Sequence, residues 1–185
     1  MHKSLFAGIL AALVASTAFP ALAASTSSTT DFERVFPSSY RDMLRDAKRA
    51  YGAKQYDEAF KLFQRSACAG DKESQSAVGR MYLLGQGVQR ADLVGYAWLK
   101  VAAEVIFPGY QSIIAKLDSA MTPAQHETAD RLAKTTIDRY GMVATHMSCQ
   151  KNASRGGHIV DSIVCTPENQ GSQLLLKRCV VDAPH

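Results

Sequence analysis

The chain has 185 residues, of which 46% are hydrophobic and 21% charged, and its formal net charge is +4. This composition excludes a disordered or collagen-like chain and fits one compact domain with appendages. No dense run of lysine and arginine accompanies the mildly basic charge, so the charge does not indicate a nucleic-acid-binding protein.

Residues 1–23 predict a secretory signal peptide. Lys3 supplies a positive charge, an uncharged stretch runs from Leu5 to Phe19, and small residues precede a cleavage site between Ala23 and Ala24. The alternative is an N-terminal helix of the mature domain, but such a helix should carry polar residues on one face. Because the apolar stretch is too short to span a bilayer, we expect a periplasmic or secreted protein that can form disulfides.

Residues 24–36 are polar at their start and lack periodicity, which predicts a flexible linker. Residues 37–141 then show apolar positions three and four apart, the pattern of amphipathic helices. The first predicted helix is capped by Ser38 or Ser39 and runs to Tyr51. The others run from Tyr56 to about Gly70, from about Lys72 to Leu84, from about Ala91 to Val105, from Tyr110 to Ala120, and from a capping box at Thr122 and Gln125 to Tyr140. Short helices joined by tight turns predict stacked helical hairpins that bury their apolar faces against one another.

The segment from Ala77 to Ala103 resembles a Sel1-like repeat, a relative of the tetratricopeptide repeat. The matching positions are Ala77, Gly79, Tyr82, Gly85, Gly87, Val88, Trp98, Ala102 and Ala103. Two positions depart from the pattern: Asp92 stands one place late, and Gly95 replaces the usual alanine at a cost to the helix of ~1 kcal/mol. The flanking hairpins match more loosely.

This resemblance implies an all-α fold, a short α-solenoid of antiparallel helical hairpins. It also implies a role in protein–protein interaction, as an adaptor, assembly factor or regulator in the bacterial cell envelope. Such a role is implied by the fold alone and identifies no ligand.

The resemblance further implies that the first helix of each hairpin lines a concave, peptide-binding face. The matching positions are Arg41, Leu44, Lys48 and Tyr51 in the first hairpin and Glu73, Ser76, Arg80 and Leu83 in the second. The basic side chains of Arg41, Lys48 and Arg80, together with Tyr51, are suited to hold an acidic segment or a C-terminal carboxylate. The alternative is an ordinary solvated helix face, on which lysine and arginine are expected.

Residues 142–185 form a predicted cysteine-containing tail with a β-hairpin. The β-favouring runs extend from His158 to Val164, interrupted by Asp161, and from Leu174 to Val181. We expect this tail to cap the short helical array, which otherwise ends with an exposed apolar face.

The four cysteines permit three pairings, and the sequence alone does not choose among them. We favour Cys149 with Cys165, which closes a hairpin-sized loop and stabilises by ~3 kcal/mol in the chain-entropy model. Cys68 then pairs with Cys179 and ties the tail to the second helix. The alternative for Cys68 is a small buried core residue, because it stands between two alanines.

No motif predicts catalysis, a metal or a cofactor. His146 and the cysteines that follow it fit no common zinc spacing, and the sequence has no Cys-x-x-Cys pair. We therefore expect a non-enzymatic adaptor or regulator whose partner is another envelope or secreted protein, with no nucleic acid and no membrane span. The alternative is a cell-wall-active or hydrolytic enzyme with its site in the tail and His146 or His158 as the acid–base group.

Overall fold

A computed structural model describes residues 31–152 and 162–179. The predicted signal peptide, its cleavage site between Ala23 and Ala24, and most of the predicted linker lie outside these residues. His158 and the first part of the predicted strand that begins there also lie outside them.

The described residues fold into three helical hairpins followed by a small β-structured tail. The helices are α1 (Pro37–Gly52), α2 (Tyr56–Cys68), α3 (Lys72–Leu84), α4 (Asp92–Ala102), α5 (Pro108–Ala120), α6 (Pro123–Tyr140) and the single turn α7 (Met142–Thr145). The strands are β1 (Phe32–Val35), β2 (Met147–Asn152), β3 (Ser162–Pro167), β4 (Asn169–Gln170) and β5 (Gln173–Lys177). The predicted fold class, a short array of antiparallel helical hairpins with a disulfide-bonded tail, is confirmed.

Two helix ends follow the local signals that predicted them. The hydroxyl of Thr122 accepts a hydrogen bond from the backbone N–H of Gln125 at 3.4 Å, and the Gln125 side chain accepts one from the Thr122 N–H at 2.9 Å. This reciprocal capping box starts α6. At the end of α3, Gly85 adopts the left-handed conformation with φ of 65°, which glycine enters without a steric penalty.

The start of α1 differs from the prediction. Phe36 occupies the N-cap position without a side-chain cap, and Pro37 is the first helical residue. The prediction that Ser38 or Ser39 caps this helix is therefore wrong. Proline suits the first position because its φ is preset and it has no N–H that needs a partner there.

Strand β1 lies inside the predicted linker, so that prediction is wrong for residues 32–35. The strand pairs antiparallel with β5, with Phe32 opposite Lys177 and Val35 opposite Leu174, and β4 pairs with the other edge of β5. Because the partner strand lies about 140 residues away, no local pattern marks these four residues. The predicted strand from Leu174 to Val181 ends at Lys177.

The small sheet covers the first hairpin. Leu174 and Leu176 of β5 are buried and pack in one cluster with Tyr40 and Met43 of α1 and with Ala69. Their burial follows the alternation expected for a strand with one face on a core. The tail thus shields the apolar face that the first hairpin would otherwise expose.

Strands β2 and β3 form an antiparallel hairpin in which Cys149 lies directly opposite Cys165. These two cysteines form one disulfide, and Cys68 and Cys179 form a second with their Cα atoms 5.1 Å apart. The pairs are the two that the sequence analysis favoured. The second disulfide joins the end of α2 to the last described residue of the tail.

Candidate functional site

A cavity of about 280 Å³ lies between the first helices of the second and third hairpins and one strand of the tail. Its lining residues come from α3, from the start of α5 and from β3. They are Glu73, Ser76, Arg80, Phe107, Gly109, Tyr110, Ile113 and Ile163. We call this cavity the α3–α5 pocket.

The wall formed by α3 follows from the helical repeat. Glu73, Ser76 and Arg80 share one face because they are three and four positions apart. The rotational setting of this face is fixed at the helix start, where the Asp71 carboxylate accepts a hydrogen bond from the Ser74 N–H at 2.8 Å. Arg80 lies seven residues after Glu73, which is about 10 Å further along the axis.

The wall formed by α5 is aromatic and aliphatic. Tyr110 is 7% exposed, and its ring packs against that of Phe107 with the centroids 4.9 Å apart. Its hydroxyl donates a hydrogen bond to the backbone carbonyl of Lys72 at 3.4 Å. Burial, and then the negative charges of Glu73 and Asp71, raise the pKa of the Tyr110 hydroxyl to about 12, so the side chain is neutral at physiological pH.

The third wall comes from the tail. Ile163 of β3 lines the pocket, whereas the next residue, Val164, is 43% exposed. Successive residues of a strand point to opposite faces, so the hairpin presents one of these two side chains to the pocket and the other away from it. The Cys149–Cys165 disulfide crosses the hairpin close to Ile163 and holds the strand that carries it.

Of the two charged side chains described in the α3–α5 pocket, Glu73 has an ion-pair partner and Arg80 has none among the described residues. Lys48 of α1 donates a hydrogen bond to the Glu73 carboxylate at 2.8 Å, and both side chains are more than half exposed. Within residues 31–152 and 162–179, by contrast, no carboxylate forms a salt bridge with Arg80. The pocket therefore combines an unopposed guanidinium with apolar walls, an arrangement that suits an anion attached to an apolar group.

The structure separates the four basic and aromatic residues proposed for the concave face. Arg80 lines the pocket and Lys48 reaches its rim through Glu73, but Arg41 is exposed on α1 and is not part of the lining. Tyr51 packs edge-on against Tyr56 and Phe63, with its hydroxyl donating to the Gln86 side chain at 3.0 Å. It therefore contributes to packing between the first two hairpins and not to the pocket. Binding at any of these residues stays a prediction.

Two further residues of the predicted concave face pack against the hydrophobic core. Leu44 contacts the cluster that joins α1 to β5, and Leu83 contacts the cluster that joins α4, α5 and α6. Conversely, helical spacing in the second hairpin did not reveal the walls formed by α5 and β3. Those walls arise from contacts between segments far apart in the sequence.

A buried lysine behind the pocket was not predicted. Lys72 is fully buried, and its ammonium group donates to Gln75 Oε1 at 2.9 Å, to the carbonyl of Val101 at 3.0 Å and to Glu104 Oε2 at 2.5 Å. Burial lowers the pKa of Lys72, and the Glu104 carboxylate opposes that shift. The sequence signal was a lysine in the first turn of a helix, where the helix dipole disfavours a cation unless another partner holds it.

The same network fixes the end of α6 and the start of the tail. Glu104 accepts a hydrogen bond from the N–H of Met142 at 3.0 Å, and the Gln75 amide donates to the carbonyl of Tyr140 at 2.8 Å. Lys72 thus connects the start of α3 with the ends of α4 and α6. This arrangement holds α3 in place beneath the pocket.

An acid–base contact between His146 and Glu168 lies in the described part of the tail. His146 Nδ1 lies 2.6 Å from Glu168 Oε2, both side chains are about half exposed, and the imidazole packs edge-on against Phe32. Cys149 and Cys165 are joined in a disulfide and offer no thiol beside it. Among the described residues, no group of three or more histidine, cysteine, aspartate or glutamate side chains is placed to hold a metal ion.

The structure is an array of three helical hairpins, and the sequence of the central hairpin resembles a Sel1-like repeat. None of its helices, within residues 31–152 and 162–179, has the length and apolar character needed to cross a membrane.

Comparison with known proteins gives a likeness in structure. No family model matches the chain, and no curated protein matches it. A search of solved structures finds similarity to a protective antigen present in uropathogenic Escherichia coli strains, described as displaying an SLR fold. The two chains are 20% identical with a TM-score of 0.45, and the match covers 56% of this chain and 23% of the antigen.

Proposed function

We propose that this protein is a non-enzymatic, exported adaptor that binds another envelope or secreted protein through a carboxylate-bearing segment. The observation that carries the proposal is Arg80, a guanidinium that lines a pocket with apolar walls and has no carboxylate partner among the described residues. Arginine forms two parallel hydrogen bonds with a carboxylate, and such charged bonds are the strong ones in protein recognition.

Export is supported by two independent features. The first 23 residues have the composition of a secretory signal peptide. The described residues contain two disulfides, which form and persist in oxidising compartments such as the periplasm. The partner would therefore meet this protein outside the cytoplasm.

Lys48 has an indirect role in this proposal. Its ammonium group is 2.8 Å from the carboxylate of Glu73, the one acidic side chain among the described residues of the pocket lining, and neutralises it. Without Lys48, the uncompensated charge of Glu73 would repel an incoming carboxylate. Lys48→Met should therefore weaken partner binding, and a second change, Glu73→Gln, should restore it.

The proposal is tested by affinity capture from the envelope fraction of cells that make the protein, with mass spectrometry of the eluate. Wild type should retain a dominant partner, and Arg80→Glu should lose it. Lys61→Glu is the matched control, because Lys61 is exposed on α2, outside the pocket lining, and the substitution changes the net charge equally. Equal capture by wild type and Arg80→Glu would contradict the proposal.

A second candidate is an enzyme acting on the cell wall or another hydrolysable substrate, with its site in the tail. It is favoured by the 2.6 Å contact between His146 and Glu168, since a carboxylate that orients an imidazole is a common acid–base arrangement. His146→Ala would abolish such an activity and should leave partner capture intact. Hydrolytic activity of the wild type that is lost in His146→Ala, together with full partner capture by Arg80→Glu, would favour this candidate.

A further inference from the structure

We infer that the α3–α5 pocket binds the C-terminal residue of the partner, with its free carboxylate on Arg80 and an apolar side chain against the α5 and tail walls. This inference rests on the proposed function and specifies the ligand of the same site. It also makes the tail part of the binding site, since Ile163 supplies one wall.

The distribution of chemistry in the pocket supports a single residue that carries both groups. Arg80 supplies the positive charge on α3, while Phe107, Ile113 and Ile163 supply apolar surface on the other two walls. A volume of about 280 Å³ is at the small end for a ligand site, which suits one residue and not an extended segment.

A chain terminus fits this pocket better than an internal acidic residue. In an internal aspartate or glutamate, the side chain carries the charge and leaves no apolar group for the opposite walls. A C-terminal leucine or phenylalanine places its carboxylate and its apolar side chain on the same Cα atom. Each group then meets a matching wall, and the apolar side chain is removed from water.

The neutral state of Tyr110 is consistent with this ligand. Its hydroxyl donates to the Lys72 carbonyl, and burial keeps it protonated beside the pocket. Among the described lining residues, Glu73 alone carries a carboxylate; it pairs with Lys48 and lies about two turns of helix from Arg80. The end of the pocket at Arg80 therefore presents a cation without an adjacent anion among the described residues.

The test uses short synthetic peptides and the folded protein with both disulfides intact. The probes are N-acetyl-Gly-Ser-Gly-Leu with a free carboxylate, the same peptide with a C-terminal amide, N-acetyl-Gly-Glu-Gly-amide, and sodium acetate. Binding is followed by NMR through the methyl resonances of Ile113 and Ile163. The free acid should shift both resonances and bind about tenfold or more tightly than the amide or the internal glutamate peptide.

Three variants test which pocket residues bind the carboxylate of the ligand and which contact its apolar side chain. Arg80→Gln should remove the preference for the free acid over the amide. Ile163→Ala should lower the affinity for the leucine peptide by about tenfold and leave the affinity for acetate unchanged. Val164→Ala is the matched control on the other face of the same strand and should bind as wild type does.

Several results would overturn the inference. Equal affinity of free acid and amide, or tighter binding of the internal glutamate peptide, would show that the terminus is not the recognised feature. An affinity for acetate equal to that for the leucine peptide would show that the pocket binds an anion and makes no use of its apolar walls. Either result is compatible with partner capture that depends on Arg80, so this inference and the proposed function fail separately.

Discussion

The backbones of α3 and α4 touch at Gly79 and Gly95. A Cβ atom on Gly95 would lie 2.7 Å from the Gly79 carbonyl oxygen, and a Cβ atom on Gly79 would lie 2.8 Å from the Gly95 carbonyl oxygen. The glycine at position 95, which departs from the Sel1-like pattern, is therefore matched to the close crossing of the second hairpin. The close packing of α3 on α4, which only glycine permits here, compensates for the lower helix propensity of glycine at this position.

Gly95→Ala should destabilise the protein although alanine is the better helix former. The gain of ~1 kcal/mol in propensity is outweighed by overpacking against a backbone oxygen that cannot move aside, which costs about 1–3 kcal/mol. We expect a net loss of about 1 kcal/mol in the free energy of unfolding, measured by urea denaturation. Gly52→Ala is the control, because nothing lies within 4 Å of a Cβ at that position, and it should be neutral or stabilising. Greater stability of Gly95→Ala would contradict the close crossing.

The disulfides should contribute unequally to stability. Cys68 and Cys179 are 111 positions apart, whereas Cys149 and Cys165 are 16 apart. The chain-entropy model assigns ~4.7 kcal/mol to a loop of about 100 residues and ~3 kcal/mol to one of about 15 residues. Replacing the first pair by alanines should therefore lower the free energy of unfolding more than replacing the second.

The only tryptophan of the chain is a fluorescent reporter close to the Cys68–Cys179 disulfide. Trp98 lines one cavity together with Cys68 and Cys179, and its ring stacks on Tyr140. Its fluorescence should change when the Cys68–Cys179 pair is replaced and stay constant when the Cys149–Cys165 pair is replaced. The opposite order of stabilities, or an unchanged tryptophan signal in both variants, would disagree with the observed connections.

Lys72→Met should be strongly destabilising. Removal of the ammonium leaves the Glu104 carboxylate, which is only 21% exposed, without its cation, and breaking such a buried pair costs about 3–5 kcal/mol. Lys134→Met is the control, because its pair with Asp138 is exposed on α6 and should contribute less than about 0.5 kcal/mol. Thermal and urea denaturation of both variants would measure the difference. A loss no larger than that of the control would show that the buried network is not important for stability.

Tyr110 should make the stability depend on alkaline pH. Burial and the nearby acidic side chains raise its pKa to about 12, whereas a tyrosine in the unfolded chain ionises at about 10. The folded state thus holds the proton more tightly, so the resulting stabilisation is complete below about pH 10 and is lost as the pH rises through about 12. The free energy of unfolding of wild type should fall more steeply over this range than that of Tyr110→Phe. Parallel curves would place the Tyr110 hydroxyl in an ordinary solvated environment.

The elements that the sequence predicted have their signals close together in the chain. The capping box at Thr122 and the left-handed Gly85 each act within a few residues of the helix end that they define. Strand β1 has no such signal, because its hydrogen bonds go to β5 at the other end of the chain. The start of α1 was misplaced because two serines suggested a cap where Pro37 already satisfies the first turn.

The candidate site could be predicted only in part for the same reason. The resemblance to a Sel1-like repeat implied that Glu73, Ser76 and Arg80 share one face of a helix, and they do line one wall of the pocket. The aromatic wall around Tyr110 and the aliphatic contribution of Ile163 depend on how α5 and the tail pack against α3. Local periodicity contains no information on that packing.

The most direct test of the account is the equilibrium dissociation constant of the captured partner, measured with purified proteins by isothermal titration calorimetry. Truncating or reversing one member of a desolvated charge pair costs about 2–5 kcal/mol, so Arg80→Glu should weaken binding by about thirtyfold or more. Lys61→Glu and His146→Ala should bind within about twofold of wild type, since single surface changes away from an interface contribute little. Unchanged affinity of Arg80→Glu, with lost affinity in His146→Ala, would contradict a binding site at the α3–α5 pocket.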